Sequence, residues 1–212
     1  MTTNTNREIF HPLEISICGH SNSGKTTLIV KLIEMFSKRL TVGYIKHDAH
    51  QFSMDREGKD TFLACQAGAS QVAISSPQKT ALLTNNQEHD FFFKHNYIDC
   101  DAVIIEGYKD RLCSKILMWS GSDEDQALLK KYQSDSQHNL LAIVGTDETG
   151  PAVENIPYFQ RDNTKGIYHF INQFWEEKIS KIPLYGLVLT GGKSTRMGTD
   201  KGALNYHGKS QI

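Results

Sequence analysis

The chain has 212 residues, 39% hydrophobic and 22% charged, and its 23 basic and 24 acidic side chains leave a formal net charge of −1. This is the composition of a soluble globular protein with room for one generous domain, or one domain and part of another. It excludes a globally basic nucleic-acid binder, and no run approaches the roughly 18 apolar residues of a membrane span.

The opening "MTTNTNREIFHP" has neither a signal-peptide apolar region nor an Arg-rich transit pattern. Cys18, Cys65, Cys100 and Cys113 lack paired spacing and read as reduced, mostly buried thiols. The expectation is a cytoplasmic protein that engages neither membrane nor nucleic acid.

In chain order, "LEISICG" predicts a first strand. "TTLIVKLIEMFSKRL" predicts a helix with Leu28, Leu32, Ile33 and Phe36 on its buried face. Between them, "GHSNSGKTT" (Gly19 to Thr27) fits G-x-x-x-x-G-K-[ST] in full. The glycines, Gly19 and Gly24, let the backbone curl until several N–H groups, through Ser21, Asn22 and Ser23, point at one anion. The dipole of the new helix adds to that attraction. Lys25 would reach the β- and γ-phosphates, Thr26 would offer its hydroxyl to Mg²⁺, and Thr27 completes the loop. The pattern predicts a nucleoside triphosphate site.

"TVGYIKHD" predicts a second strand, and the polar stretch Ile45 to Asp60 follows from it. Two readings stand: a solvated loop, or a loop facing the γ-phosphate. In the second, Asp48, Asp55 and Asp60 contact metal, and Lys46, His47, His50 and Lys59 an anionic partner. Two histidines are too few for a zinc site. "DTFLACQAGA" predicts a helix with Phe62 and Cys65 on one face. "SQVAISSP", "DAVIIEG", "SKILMWS" and "LLAIVGTD" predict four more strands, short apolar runs suited to burial on both faces of a parallel sheet.

Glu106 stands at the tip of the strand Ala102 to Ile105, where a phosphate loop requires an acid. It would hold Mg²⁺ directly or through water, or position an attacking water. Asp101, at the other end of that strand, is the weaker candidate. Lys25 and Glu106 are therefore the candidate catalytic pair. No arginine finger can be identified; Lys109 and Arg111 are nearby cations. Asp147 closes "LLAIVGTD", where it would accept from N1–H and N2–H₂ of guanine. The sequence N-K-x-D is absent, and a plain turn aspartate fits the same spacing.

"NTKGIYHFINQFWEEKI" predicts a last helix with Ile167, Phe170, Ile171 and Phe174 as its buried stripe, and Pro183 breaks the pattern. The domains are expected at 1–178, with a linker at 179–183 and a second segment at 184–212. In that segment "LTGGKSTRMGTDKGAL" places Leu189, Thr190, Gly191 and Gly192 in a turn open to a nucleotide backbone. Arg196 and Lys201 would neutralise its phosphates. The fold class is α/β: a three-layer P-loop NTPase fold with a mostly parallel sheet, plus a short C-terminal fragment of a second nucleotide-binding α/β domain.

"GHSNSGKTTL", "YIKHDAHQFSMDREGKD", "QAGA" and "VIIEGYK", in this order, resemble the molybdopterin-guanine dinucleotide biosynthesis adaptor family, MobB, over roughly residues 13–175. The resemblance implies a cytoplasmic, usually homodimeric protein that binds GTP and Mg²⁺ with weak hydrolysis. It makes Asp147 the guanine contact. It also makes the "KHDAH…GKD" loop a molybdopterin or partner face comprising His47, His50, Asp55, Lys59 and Asp60, with Lys109 beside it.

The C-terminal motif is similar to the start of MobA, the molybdenum cofactor guanylyltransferase family, with Thr190 in place of that family's alanine. Only 29 residues follow Pro183, against roughly 100–150 for an independent domain. This segment is expected to be a truncated start with no transferase activity of its own. The partners expected are a MobA-like guanylyltransferase and molybdopterin. A P-loop small-molecule kinase and a GTP-binding module without turnover are the alternative functions.

Overall fold

The computed structural model describes residues 10–47, 55–84, 89–135, 139–183, 205–206 and 209–210. In chain order they form β1 (Glu14–Cys18), α1 (Lys25–Phe36), β2 (Val42–Lys46), α2 (Asp60–Gln66), β3 (Gln71–Ser75) and β4 (Thr80–Thr84). Then come α3 (His89–Asn96), β5 (Ala102–Glu106), β6 (Lys115–Trp119), α4 (Asp123–Ser134), β7 (Leu140–Gly145), β8 (Tyr158–Gln160) and α5 (Thr164–Ser180). A two-residue pair follows, β9 (Asn205–Tyr206) with β10 (Lys209–Ser210), which run antiparallel. The chain divides into two compact units, Met1–Trp175 and Glu176–Ile212.

The first unit is built on a six-stranded sheet in the order β2-β5-β1-β6-β7-β8. Every neighbouring pair in it is parallel, so all six carboxyl ends lie on one rim. β1 and β5 are buried at all their positions. Side-chain alternation sends successive residues to opposite faces.

On one face, Ile15, Ile17, Ala102 and Ile104 meet Leu28, Leu32 and Phe36 of α1 and Ile167, Ile171 and Trp175 of α5. Phe36 packs on Trp175 and Tyr168 with ring centroids 4.8 and 4.4 Å apart. On the other face, Cys18, Leu117 and Ile143 meet Leu129 and Tyr132 of α4. Val103, Ile105 and Ile45 cluster there with Phe10, and Phe93 and Tyr97 pack against them. The result is three layers, each large aliphatic side chain contributing about 1.5–3 kcal/mol by burial.

Several expectations change. "SQVAISSP" is not a buried parallel strand. Its core, β3, pairs antiparallel with β4 in a separate two-stranded sheet, and Ile74 is 60% exposed. The reason is local: "QVAIS" is only partly apolar, and a tight turn in which Ser76 N donates to Lys79 O (2.7 Å) folds the chain straight back.

α1 stops at Phe36, where Ser37 N still reaches Ile33 O but Arg39 N and Leu40 N both turn to Phe36 O. In α5 the fully buried stripe is Ile167, Ile171 and Trp175; Phe170 and Phe174 are only partly buried against it. Phe62 and Cys65 are half-buried, and α2 has no fully buried residue. Of the cysteines, Cys18 and Cys113 are buried and Cys65 and Cys100 are not, all four being free. No helix among the described residues is long and apolar enough to cross a membrane.

Candidate functional site

The chain leaves β1 at Gly19, where an added Cβ would come within 2.9 Å of Met118 Cβ on the neighbouring β6. Asn22 (φ 61°) and Gly24 (φ 86°) then adopt left-handed backbone, curling the loop until Gly24 becomes the N-cap of α1. No side chain caps this helix, and its first turn holds no acid. Its free amides and positive dipole end are therefore left uncompensated. α4 is the opposite case: Ser122 caps it, and Asp123, Glu124 and Asp125 fill its first turn.

Lys25 Nζ folds over the loop, donating to the carbonyls of His20 (2.5 Å) and Gly19 (3.4 Å) and to Ser23 Oγ (3.3 Å). Burial pulls its ammonium below the ordinary lysine range, and the nearby Glu106 carboxylate works against that pull.

Glu106 is 5% exposed at the carboxyl end of β5, the strand paired to β1. The Thr26 hydroxyl donates to both of its oxygens, at 2.9 and 3.0 Å, and the Tyr44 hydroxyl to Oε2 at 2.7 Å. Burial, then the hydrogen bond and charge of Glu106, push the Tyr44 phenol well above its ordinary value. After Glu106 the chain turns the corner at Gly107 (φ 95°), whose Cβ position lies 2.8 Å from His47 O. Gly107 N donates to Ile17 O at 3.1 Å, and its carbonyl accepts Ser16 Oγ at 2.7 Å. A hydroxyl and a carboxylate held together form a hard-oxygen donor set of the kind that suits a small divalent cation.

A second polar network braces the loop from behind. Asp125, fully buried, accepts from Ser120 N (2.7 Å) and Ser120 Oγ (2.8 Å) and pairs with His20 Nδ1 (3.0 Å). Lys109 is ion-paired with Glu124, and Lys131 with Asp110; Tyr132 OH donates to Lys109 O at 3.1 Å. The first turn of α4 thus touches both the 19–27 loop and the segment after β5.

The other expected site residues are dispersed. Asp147 is exposed after β7, its carbonyl accepting Tyr158 OH at 2.9 Å. His47 is exposed and stacks on Tyr108 with centroids 4.0 Å apart. Asp55 Oδ1 accepts Arg56 N and Thr61 Oγ1, bracing the start of α2, where Lys59 is the N-cap and Asp60 the first helical residue. Asp48 and His50 lie outside the described residues, as do Leu189, Thr190, Gly191, Gly192, Arg196 and Lys201. Among the described residues no three His, Cys, Asp or Glu side chains gather as a metal cage.

Sequence reasoning missed four contributors: His20, Tyr44, Asp125 and Arg161. Arg161 follows β8, its N donating to Gly145 O at 2.7 Å, and its guanidinium reaches within 2.8 Å of the Cβ position on Gly24. The sequence signal for Asp125 was the capping pattern Ser122-x-x-Asp125.

A parallel sheet with a G-x-x-x-x-G-K-T loop joining its central strand to a helix defines a P-loop NTPase-like α/β fold. Residues 14–147 match the family described as "Molybdopterin guanine dinucleotide synthesis protein B". The chain belongs to this family, MobB.

It is 36% identical over 109 residues to the molybdopterin-guanine dinucleotide biosynthesis adapter protein of Haemophilus influenzae, across 49% of this chain. The chain spans 61% of that relative's length. A 31-residue stretch is 68% identical to the molybdenum cofactor biosynthesis bifunctional protein of Synechocystis, covering 15% of this chain and 9% of that one. Among solved structures, a crystal structure of molybdopterin-guanine biosynthesis protein B superposes with a TM-score of 0.60 at 28% identity. It covers 77% of this chain and 99% of the other.

Proposed function

We propose that the chain is a GTP-binding adapter in molybdopterin guanine dinucleotide biosynthesis, acting in the cytoplasm beside a guanylyltransferase of the MobA type. The observation that carries this reading is the 19–27 loop: an uncapped, acid-free helix start with Lys25 over it and the Thr26–Glu106 pair at its side. Family membership supplies the pathway. The short identity to a bifunctional protein of the same pathway favours close association with the transferase.

In this reading the loop amides and Lys25 hold the β- and γ-phosphates. Thr26 and Glu106 would hold Mg²⁺, which would offset the negative charge of the phosphates. Asp147 accepts from the guanine edge. Glu106, buried and already fixed by Tyr44, orients a water for slow hydrolysis. Fast turnover would need a further cation at the terminal phosphate. The segment around His47, Asp55, Lys59, Asp60 and Lys109 meets molybdopterin or the partner, and the working unit is a homodimer.

Calorimetric titration of GTP with Mg²⁺ into the wild type and Lys25→Ala tests the site. The substitution is expected to lower affinity at least a hundredfold; unchanged binding overturns the assignment. Release of radiolabelled phosphate within a single turnover separates slow hydrolysis from purely structural binding. A phosphorylated pterin formed when molybdopterin is added to the same mixture would instead establish kinase activity.

A further inference from the structure

We propose that Arg161 is a phosphate ligand of the same site. It would grip the phosphate nearest the nucleoside, from the flank opposite the Thr26–Glu106 pair. The inference rests on the nucleotide-binding reading above and extends it to a residue outside the loop motif.

Four observations converge on it. First, Gly24, Thr27, Leu28, Arg161, Asp162 and Lys31 line a cleft of about 180 Å³ against the start of α1. Gly24, Thr27, Leu28 and Lys31 recur at the spacing of one helix face, and Thr26 is turned about 100° from Thr27 around the axis.

Second, the sheet order places Glu106, on β5, to one side of β1 and Arg161, after β8, to the other. The metal-binding pair marks the terminal-phosphate end of a nucleotide on this loop. The opposite flank is therefore where the chain of phosphates meets the sugar.

Third, the guanidinium sits at a position that costs energy unless an anion is present. It lies against Gly24, at the positive end of an uncapped helix with no acid in its first turn. Lys25 in that turn and Lys31 in the next add two more cations. Among the described residues the Arg161 side chain makes no hydrogen bond or ion pair, although Asp162 is its sequence neighbour. A planar cation at this position is suited to two-point contact with phosphate oxygens.

Fourth, its backbone is fixed. Arg161 N is bonded to Gly145 O at 2.7 Å, and Asn163, two residues on, caps the start of α5 by accepting Gly166 N at Oδ1, 3.0 Å away. The side chain therefore projects from a rigid strand end rather than a long loop.

The test is calorimetric titration of the full chain with GTP, GDP and GMP, each with Mg²⁺, for the wild type, Arg161→Gln, Arg161→Lys and Lys25→Ala. Arg161→Gln is expected to weaken GTP and GDP by the same factor, about tenfold. It should also weaken GMP where that binding is measurable. Arg161→Lys should recover part of the loss, and the melting temperature without ligand should stay within about 2 °C of the wild type.

Wild-type affinity for GTP from Arg161→Gln, while Lys25→Ala has lost it, overturns this inference and leaves the nucleotide site standing. A loss confined to GTP also overturns it, because that places the guanidinium on the terminal phosphate. Absence of nucleotide binding in the wild type overturns both readings. A lowered melting temperature with unchanged affinity makes Arg161 structural only, and sinks the proposal.

Discussion

Thr26 and Glu106 stand 80 positions apart in sequence, yet both carboxylate oxygens of Glu106 accept the Thr26 hydroxyl, at 2.9 and 3.0 Å. The parallel pairing of β1 with β5 brings the phosphate loop and this acid to the same rim. Glu106→Gln keeps the shape and removes the charge. It is expected to cut the increase in GTP affinity produced by Mg²⁺ at least tenfold, with affinity in EDTA changed by less than about twofold. Titrations with and without the metal measure this, and an unaltered response to Mg²⁺ would remove Glu106 from the metal site.

Asp125 tests the bracing network. Burial by itself raises its pKa, but hydrogen bonds from Ser120 N, His20, Ser120 Oγ and Ser122 outweigh burial and hold it below the ordinary 3.8. A carboxyl with a depressed folded-state pKa contributes stability that is fully present above its unfolded value and is lost as pH falls through the folded one. Asp125→Asn should cost about 2–3 kcal/mol in urea unfolding at pH 7. The gap to wild type should narrow once pH drops below about 3.8, and a gap constant down to pH 2.5 would contradict the network.

Asp147→Asn exchanges one acceptor oxygen for a donor at the proposed base contact. Its expected effect is a loss of about tenfold in preference for GTP over ATP, with ATP affinity unchanged. Competition binding with the two nucleotides reads this directly; an intact preference makes Asp147 a turn residue only.

Trp175 is the third member of the buried α5 stripe and packs on Phe36. Trp175→Ala should cost about 3–5 kcal/mol, by cavity formation and lost contact area. Phe174→Ala, at a partly buried position, should cost clearly less. Chemical denaturation of the two variants ranks them, and the reverse order would mean the helix face is wrongly assigned.

The difference between those two aromatics shows where sequence reading runs out. Phe170, Phe174 and Trp175 crowd one side of α5, and periodicity alone does not resolve which of two adjacent rings points at Phe36. The strands with long apolar runs were legible because burial on both faces leaves no other composition; β5 and β7 are of this kind. β8 has three residues, too few for any period to register. α4 was not among the predicted elements: with only Leu129 and Tyr132 as fully buried apolar residues, no apolar face marks it in the sequence.

The site divides in the same way. Lys25, Thr26 and Glu106 were readable because the motif and a strand tip fix them locally. Tyr44, His20 with Asp125, and Arg161 enter through pairings 62, 105 and 137 positions long, which only the folded sheet creates.

β2 and β5 are neighbours in register, Val42 opposite Ala102 and Lys46 opposite Glu106. The whole stretch from His47 to Asp101, with α2, the β3–β4 hairpin and α3, therefore leaves and rejoins the sheet at adjacent slots. To the sheet it is a single connection, however long it grows. Outside α3, whose Phe93 and Tyr97 pack against Ile45, Val103 and Ile105, its sequence can drift, lengthen or acquire a new docking preference while the Thr26–Glu106 geometry stays constant. That makes it the natural graft point for altering what this protein recognises without rebuilding the loop beside β1.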